Sequence, residues 1–332
     1  MRFLVTGSAG FIGFHLCRKL MALGHEVTGL DGMTDYYDPA LKRARHTELA
    51  TSNLFQAHEF LLEDESALRR LVADTRADIV VHLAAQAGVR YSMEEPRSYV
   101  DANIIGTFNL LEALRAHPVQ HFLMASTSSV YGANPTPFAE SDRTDHPLSF
   151  YAATKRATEA MAHSYAHLWK QPTSVLRFFT VYGPWGRPDM ALFKFTRAIL
   201  EGKPIDIYNG GQMQRDFTYI DDCIEAIVRL VPLAPEPCAE PCAETNGSPA
   251  APWRVINIAG GTSVELDAYI RAIEQATGRS AIRNDLPMQA GEPQSTLAAT
   301  GVLEKLTGFL PRTPVEEGVR AFVEWYRGFY KL

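Results

Sequence analysis

Short runs of consecutive apolar residues alternate with longer stretches of helical periodicity along the first half of the chain. Arg2–Thr6 reads as a buried strand, Gly7–Gly13 as a glycine-rich turn, and the residues through Leu23 as a helix. Glu26–Leu30 is a second strand, ending at Asp31. The alternation predicts a helix near Pro39–Leu49, strand Leu54–Phe60, helix Glu65–Ala73, strand Ile79–Leu83 and a long helix over Pro96–Ala116. Strand His121–Ala125, helix Tyr151–Lys170 and strand Ser174–Phe178 follow. Repeated βα units with strands apolar throughout imply an α/β fold, a doubly wound parallel sheet covered by helices on both faces.

After about Thr180 the pattern loosens into a smaller α/β lobe. Helices are predicted over Ala191–Glu201, up to Val231, near Glu265–Thr277, Gly301–Leu306 and Pro314–Lys331, with short strands at Ile205–Tyr208 and Val255–Ile258. Residues 1–180 therefore form the first domain. Residues 181–332 form the lobe, with some segments returning to the first domain. Residues 232–252, rich in Pro, Ala and Glu, read as a flexible insert.

Candidate chemistry begins at Gly7-Ser8-Ala9-Gly10-Phe11-Ile12-Gly13, between the first strand and its helix. Glycines permit a tight turn and close approach of backbone to pyrophosphate, and the helix N-terminus offers unpaired N–H groups. The acid after the second strand, Asp31, suits a free ribose 2′-hydroxyl and repels a 2′-phosphate. The reading is a Rossmann-type, dinucleotide-binding first domain that takes NAD rather than NADP, although a glycine-rich βα turn also occurs in sheets that bind nothing. Ligands in such sheets sit beyond the carboxyl ends of the strands. Glu63 and Asp64 follow one such end; Leu83, Ala84 and Ala85 follow another and leave room for a cofactor.

Tyr151 and Lys155 are four apart at a helix start, so both side chains share one face. A free phenol has a pKa of about 10, and lowering it by roughly three units needs about 4 kcal/mol, which a fixed ammonium beside a cationic nicotinamide supplies. Tyr-x-x-x-Lys alone also fits an ordinary helix start. Thr127, directly after the strand at His121–Ala125, falls at the same sheet edge.

Composition narrows the partners. The chain of 332 residues is 46% hydrophobic, with a net charge of -6 and no basic run, which argues against nucleic acid and anionic membranes. No apolar run reaches the eighteen or so residues of a membrane span, and no signal-peptide pattern precedes the first strand. Cys17, Cys223, Cys238 and Cys242 are spread too thinly for zinc, so no metal and a cytoplasmic location are expected.

Gly7-x-x-Gly10-x-x-Gly13, His82-Leu-Ala-Ala85, Ser126-Thr-Ser-Ser-Val-Tyr-Gly132, Tyr151-x-x-x-Lys155, Arg177-Phe-Phe-Thr-Val-Tyr-Gly-Pro184 and Arg215-Asp-Phe-x-Tyr219 occur in that order. Together they resemble the extended short-chain dehydrogenases that act on nucleotide sugars, over essentially the whole chain. Within these, Gln86-Ala-Gly-Val-Arg90-Tyr-Ser92 and Tyr182-Gly-Pro-Trp-Gly-Arg187-Pro-Asp-Met190-Ala191 look like UDP-glucuronate 4-epimerases. The resemblance implies a UDP-sugar substrate, a tightly held NAD, supply of surface polysaccharide precursors, and a homodimer formed by helices Pro96–Ala116 and Tyr151–Lys170. It implies that Tyr151 takes the sugar 4-hydroxyl proton, Lys155 holds the ribose and acidifies the phenol, and Thr127 bonds the same hydroxyl. Arg215 would pair with the diphosphate, Gln86 and Arg90 would line the diphosphate or sugar, and Tyr208 would lie against uracil or be simply core.

The residues after Thr127 separate the family's reactions. A 4,6-dehydratase usually carries Asp-Glu where Ser128 and Ser129 stand, and decarboxylating relatives usually carry Glu at Ser129. Hydroxyls cannot replace those carboxylates at neutral pH, but they can donate to a sugar carboxylate. Thr127, Ser128, Ser129, Thr180 and Arg187 are the candidates for holding it. Alternatives are a UDP-glucose/galactose 4-epimerase, a decarboxylase or dehydratase, and an idle dinucleotide-sensing regulator. Departures from the family pattern are Leu61, Glu292 and Ala299, so adenine contacts pass to Glu63 or Asp64.

Overall fold

The apolar strands gather into one sheet, as their patterning requires. In chain order the first part comprises β1 Arg2–Thr6, α1 Phe11–Ala22, β2 Glu26–Asp31, α2 Pro39–Leu49, β3 Phe55–Glu59, α3 Glu65–Thr75, β4 Ile79–His82, α4 Tyr91–Glu94 and α5 Pro96–Tyr99. A π-helical turn Val100–Ile105 leads into α6 Gly106–Ala116, then β5 His121–Thr127, α7 Phe150–Trp169 and β6 Thr173–Phe178. The remainder comprises β7 Thr180–Tyr182, α8 Ala191–Glu201, β8 Pro204–Tyr208, β9 Gln214–Tyr219, α9 Ile220–Leu230 and β10 Trp253–Ile258. It ends with β11 Ser263–Glu265, α10 Leu266–Thr277, β12 Ile282–Leu286, α11 Gly301–Thr307 and α12 Val315–Tyr330. This computed structural model describes residues 1–238, 245–287 and 294–332, so Cys242 and Glu292 lie outside the described residues.

Seven parallel strands run in the order β10-β6-β5-β4-β1-β2-β3. Strand direction of growth reverses at β1, which opens a crevice between β1 and β4 at their carboxyl ends. Successive residues serve opposite cores: Phe3, Val5, Val81, Leu123 and Leu176 face α1 and α9, whereas Leu4, Val80, Phe122 and Val175 face α3 and α6. A third core, centred on Phe193, Tyr269 and Phe322, holds the C-terminal lobe. Its two small sheets run β11-β9-β7 and β12-β8.

Three expectations are corrected. Pro96–Ala116 is not one α-helix, because the π-helical turn widens the backbone at Asn103 and brings that side chain inward. Strands β7, β9, β11 and β12 were not foreseen. Residues 245–252 of the expected flexible insert are docked: His163 pairs with Ser248 Oγ at 2.9 Å, His167 with the Ala250 carbonyl at 2.6 Å, and Ala251 is buried. The helix histidines supply partners for a hydroxyl and a carbonyl that composition alone would leave to water.

Three buried histidines carry a pH prediction. His82 sits between Thr6 Oγ1 (2.7 Å) and Thr107 Oγ1 (3.0 Å), His15 pairs with the Pro184 carbonyl, and His121 with the Val231 carbonyl. Burial lowers their pKa values to about 3 for His15 and His82 and about 4 for His121. The unfolded chain takes up these protons near pH 6.5 while the folded chain does not. Stability from this source is therefore complete above pH 6.5 and falls as pH drops toward 4. The slope is at most ~4 kcal/mol per pH unit, about 1.4 for each histidine. Denaturant melts between pH 7 and 4 measure it; a flat midpoint would contradict it.

Candidate active site

The glycine turn has no room for side chains. Gly7 has φ +75°, and a Cβ there would lie 2.7 Å from the Ala84 backbone nitrogen; one on Gly13 would lie 2.0 Å from the Gly7 carbonyl oxygen. The Gly7 and Ser8 N–H groups donate to the Leu30 carbonyl at 2.7 and 3.2 Å, pinning the turn to β2. α1 starts after Gly10 with no side-chain cap, so its first N–H groups remain available to an anion. At the end of β2, the buried Asp31 carboxylate accepts the Ala9 N–H at 3.1 Å and the Met33 N–H at 2.9 Å. Its remaining lone pairs suit ribose hydroxyls, and its charge opposes a phosphate. Turn, helix end and acid together fit NAD.

A cleft of about 490 Å³ runs from this turn to α7. Among the residues predicted for a cofactor, Gly7, Gly10, Phe11, Ile12, Gly13, Asp31, Glu63, Leu83, Ala84 and Ala85 line it. So do Gln86, Thr127, Tyr151, Lys155, Arg187 and Met190. Ala9 lies buried under the turn, and Asp64 is engaged in capping α3, accepting the Ala67 N–H at 3.0 Å. Ser128, Ser129, Thr180, Ala191, Arg90, Tyr208 and Arg215 are not on its wall. Ser128 and Ser129 begin the turn after β5, and the Thr127 hydroxyl donates to Ser129 Oγ at 3.2 Å. Arg90 lies over the Tyr208 ring, 5.0 Å from its centroid. Arg215 donates to the Gln214 and Gln294 carbonyls at 2.9 and 3.2 Å, and its strand β9 pairs with β7, which Thr180 begins.

α7 begins where it does because Ser149 caps it, accepting the Ala152 N–H at 3.2 Å. That start puts Tyr151 and Lys155 on one cleft-facing stripe. Burial lowers the Lys155 ammonium to about 8, and Glu159 opposes the shift. Burial raises the Tyr151 phenol above its ordinary value, while the Arg187 charge and then the Thr127 hydroxyl pull it down without reversing it. In the protein alone, the Arg187 charge from the loop after β7 and the Thr127 hydroxyl are thus two groups that favour the phenolate, and neither role follows from the Tyr-x-x-x-Lys spacing.

Several groups escaped the sequence reading. Glu159, fully buried one turn beyond Lys155, accepts Ser126 Oγ at 2.6 Å and Arg177 Nε and Nη2 at 3.0 and 2.8 Å. The repeat of four through Tyr151, Lys155 and Glu159 was the available signal. Arg45 is fully buried and donates to the Ala9 carbonyl at 2.8 Å and to the Trp185 carbonyl, tying the glycine turn to the loop that carries Arg187. Asn103 accepts the Gln86 N–H at 2.8 Å and donates to the Gln86 carbonyl and to Thr154 Oγ1, each at 3.0 Å. Neither residue had a local pattern to mark it. Among the described residues no cluster of His, Cys, Asp or Glu suits a metal, and no helix is long and apolar enough to cross a membrane.

Comparison with known proteins agrees with this geometry. Residues 3–237 match the model of the NAD dependent epimerase/dehydratase family. The chain is similar to a probable UDP-glucuronate 4-epimerase of Rhizobium meliloti (strain 1021), 56% identical over 335 residues that cover 100% of this chain and 98% of the relative. It is 44% identical to UDP-glucuronate 4-epimerase 3 of Arabidopsis thaliana, over 98% of this chain and 76% of that protein. The crystal structure of UDP-glucuronic acid 4-epimerase from Bacillus cereus, in complex with UDP-glucuronic acid and NAD, superposes with a TM-score of 0.89. That protein is 35% identical, with 99% of this chain and 100% of that one covered. This chain belongs to the NAD dependent epimerase/dehydratase family.

Proposed function

We propose that this protein is an NAD-dependent UDP-glucuronate 4-epimerase, inverting C4 of UDP-glucuronate to give UDP-galacturonate. The observation that carries the reading is one cleft lined by Thr127, Tyr151, Lys155 and Arg187 together with a glycine turn and Asp31 that fit NAD. Bound NAD supplies a hydride acceptor and donor at C4 and a fixed positive charge beside the phenol. Tyr151 removes the proton from the 4-hydroxyl and later returns one to the alkoxide on the opposite face. The charge of Arg187, the hydrogen bond with Thr127 and the neighbouring ammonium of Lys155 favour the phenolate. Lys155 also holds the ribose.

The resulting 4-keto sugar turns over in the cleft between the two transfers. Ser128 and Ser129 bring no carboxylate to the turn after β5, so nothing there removes the C5 proton to expel the C6 hydroxyl. Thr127 and Arg187, which line the cleft, hold the sugar carboxylate. Ser128, Ser129 and Thr180, which do not line it in the protein alone, join them once the sugar is bound, and Arg90, Tyr208 and Arg215, also outside it, serve the UDP end. Residues 1–180 hold the cofactor, and residues 181–332 supply most of the substrate lobe. The names of the Rhizobium meliloti and Bacillus cereus proteins support this substrate.

A homodimer is part of the proposal. Ile105, Phe108, Leu168 and Trp169, on the helices expected to pair, are exposed apolar side chains. A cytoplasmic location fits the free thiols of Cys17, Cys223 and Cys238, and the product suits surface polysaccharide supply. Incubating the purified protein with UDP-glucuronate, without added NAD, and identifying the product sugar tests the reading. UDP-galacturonate is the expected product, with UDP-glucose turned over at least about tenfold more slowly for lack of the charge-assisted carboxylate contact. Equal or faster turnover of UDP-glucose would favour the glucose/galactose epimerase.

A further inference from the structure

Arg187 does not stand alone in the cleft wall. Arg187-Pro188-Asp189-Met190 forms a turn closed by the Met190 N–H donating to the Arg187 carbonyl at 3.1 Å, with proline at its second position. The turn folds Asp189 back onto the guanidinium: Nε donates to Oδ1 at 3.0 Å and Nη2 to Oδ2 at 2.6 Å. This bidentate fork fixes the guanidinium plane and uses two of its five N–H donors. From 153 residues away, the Tyr36 hydroxyl donates to the same Oδ2 at 3.2 Å. Tyr36 follows Asp31 in the loop after β2 and packs against Tyr91, ring centroids 4.8 Å apart. Both Tyr36 and Arg187 line the cleft.

A pair only two residues apart cross-links no distant elements, so its ion pair adds little to global stability. Its consequence is direction. We propose that Asp189, clamped by Tyr36, is a positioning residue that holds Arg187 in one orientation, so that the sugar carboxylate is gripped in a geometry that retains it through oxidation at C4. This rests on the substrate assigned above. Once C4 is a ketone, the sugar is a β-keto acid. Loss of carbon dioxide breaks C5–C6, places that electron pair in an enolate across C5, C4 and the C4 oxygen, and returns a proton to C5. The hydride already removed from C4 stays on the cofactor. The reaction needs C5–C6 aligned with the ketone π system, and a guanidinium fixed in its plane can prevent that alignment. A loosened one cannot.

The test compares wild type, Asp189→Asn and Tyr36→Phe as holoenzymes on UDP-glucuronate, measuring UDP-galacturonate against UDP-4-keto-pentose and carbon dioxide. Asp189→Asn keeps shape but loses one acceptor and the charge. It should raise the decarboxylated fraction about tenfold or more, with a smaller rise in KM; Tyr36→Phe should move it the same way by less. If Asp189→Asn does not fold, Tyr36→Phe, lacking one hydroxyl, carries the test. An unchanged product ratio in the folded variants would overturn the inference. Wild type that fails to convert UDP-glucuronate at all would defeat the substrate reading, and this inference with it.

Discussion

Replacing Tyr151 by phenylalanine is expected to slow epimerisation by roughly 10²–10⁴-fold, the range typical for removing a positioned acid–base group. The ring should keep its place. It stands edge-on to Tyr99, centroids 6.0 Å apart, and the backbone carbonyl of residue 151 still accepts the Thr154 hydroxyl at 2.8 Å. Nucleotide-sugar affinity should therefore change little while kcat collapses. Steady-state kinetics with a parallel binding titration separates the two. A variant that loses binding and retains kcat would show that the phenol contributes by packing and not by moving a proton.

The second large effect lies one helical turn further along. Glu159→Gln removes a fully buried negative charge while leaving Arg177 buried against it, with side-chain exposures of 0% and 4%. Breaking a buried pair from one side costs about 3–5 kcal/mol. Arg177 keeps its stack on Tyr131 at 4.7 Å and its bond to the Glu140 carbonyl, which favours the lower end. A fall in melting temperature of about 4–7 °C follows for a chain of 332 residues. The change also reaches the chemistry. Burial already lowers Lys155 to about 8, and Glu159 is the group holding it up. Wild-type activity should decline as pH rises through about 8, when Lys155 loses its proton and the phenolate its cationic neighbour. In Glu159→Gln that decline should begin at lower pH. A destabilised variant with an unmoved alkaline limb would leave Glu159 a purely structural residue.

What was legible in the chain was whatever depends on near neighbours. The glycine turn, Asp31 and the Tyr151–Lys155 stripe follow from spacings within one βα unit or one helix, and the structure places all of them on the cleft. The parallel sheet followed from strands buried on both faces. What escaped depends on partners far along the chain. Tyr36 meets Asp189 across 153 positions, and Arg45 meets Trp185 across 140. Strand β9 was unreadable for another reason. Its Asp216, which disfavours a strand, is fully buried because its carboxylate accepts the Gly260, Gly261 and Ala298 N–H groups. Strand β12, Ile282–Leu286, is largely exposed and, among the described residues, pairs with β8 alone, so no apolar pattern announces it. Burial raises the Tyr151 phenol, and one charge that opposes this, Arg187, lies 36 residues further along the chain, beyond the reach of any helical spacing.

At the centre of the account is one hydrogen at C4 that leaves the sugar and comes back within a single turnover. Incubating the purified protein with UDP-glucuronate deuterated at C4, without added cofactor, examines this directly. UDP-galacturonate that keeps the deuterium at C4 is the predicted result. Product with hydrogen from solvent at C4, or turnover only when NAD is added in amounts matching the product, would contradict it.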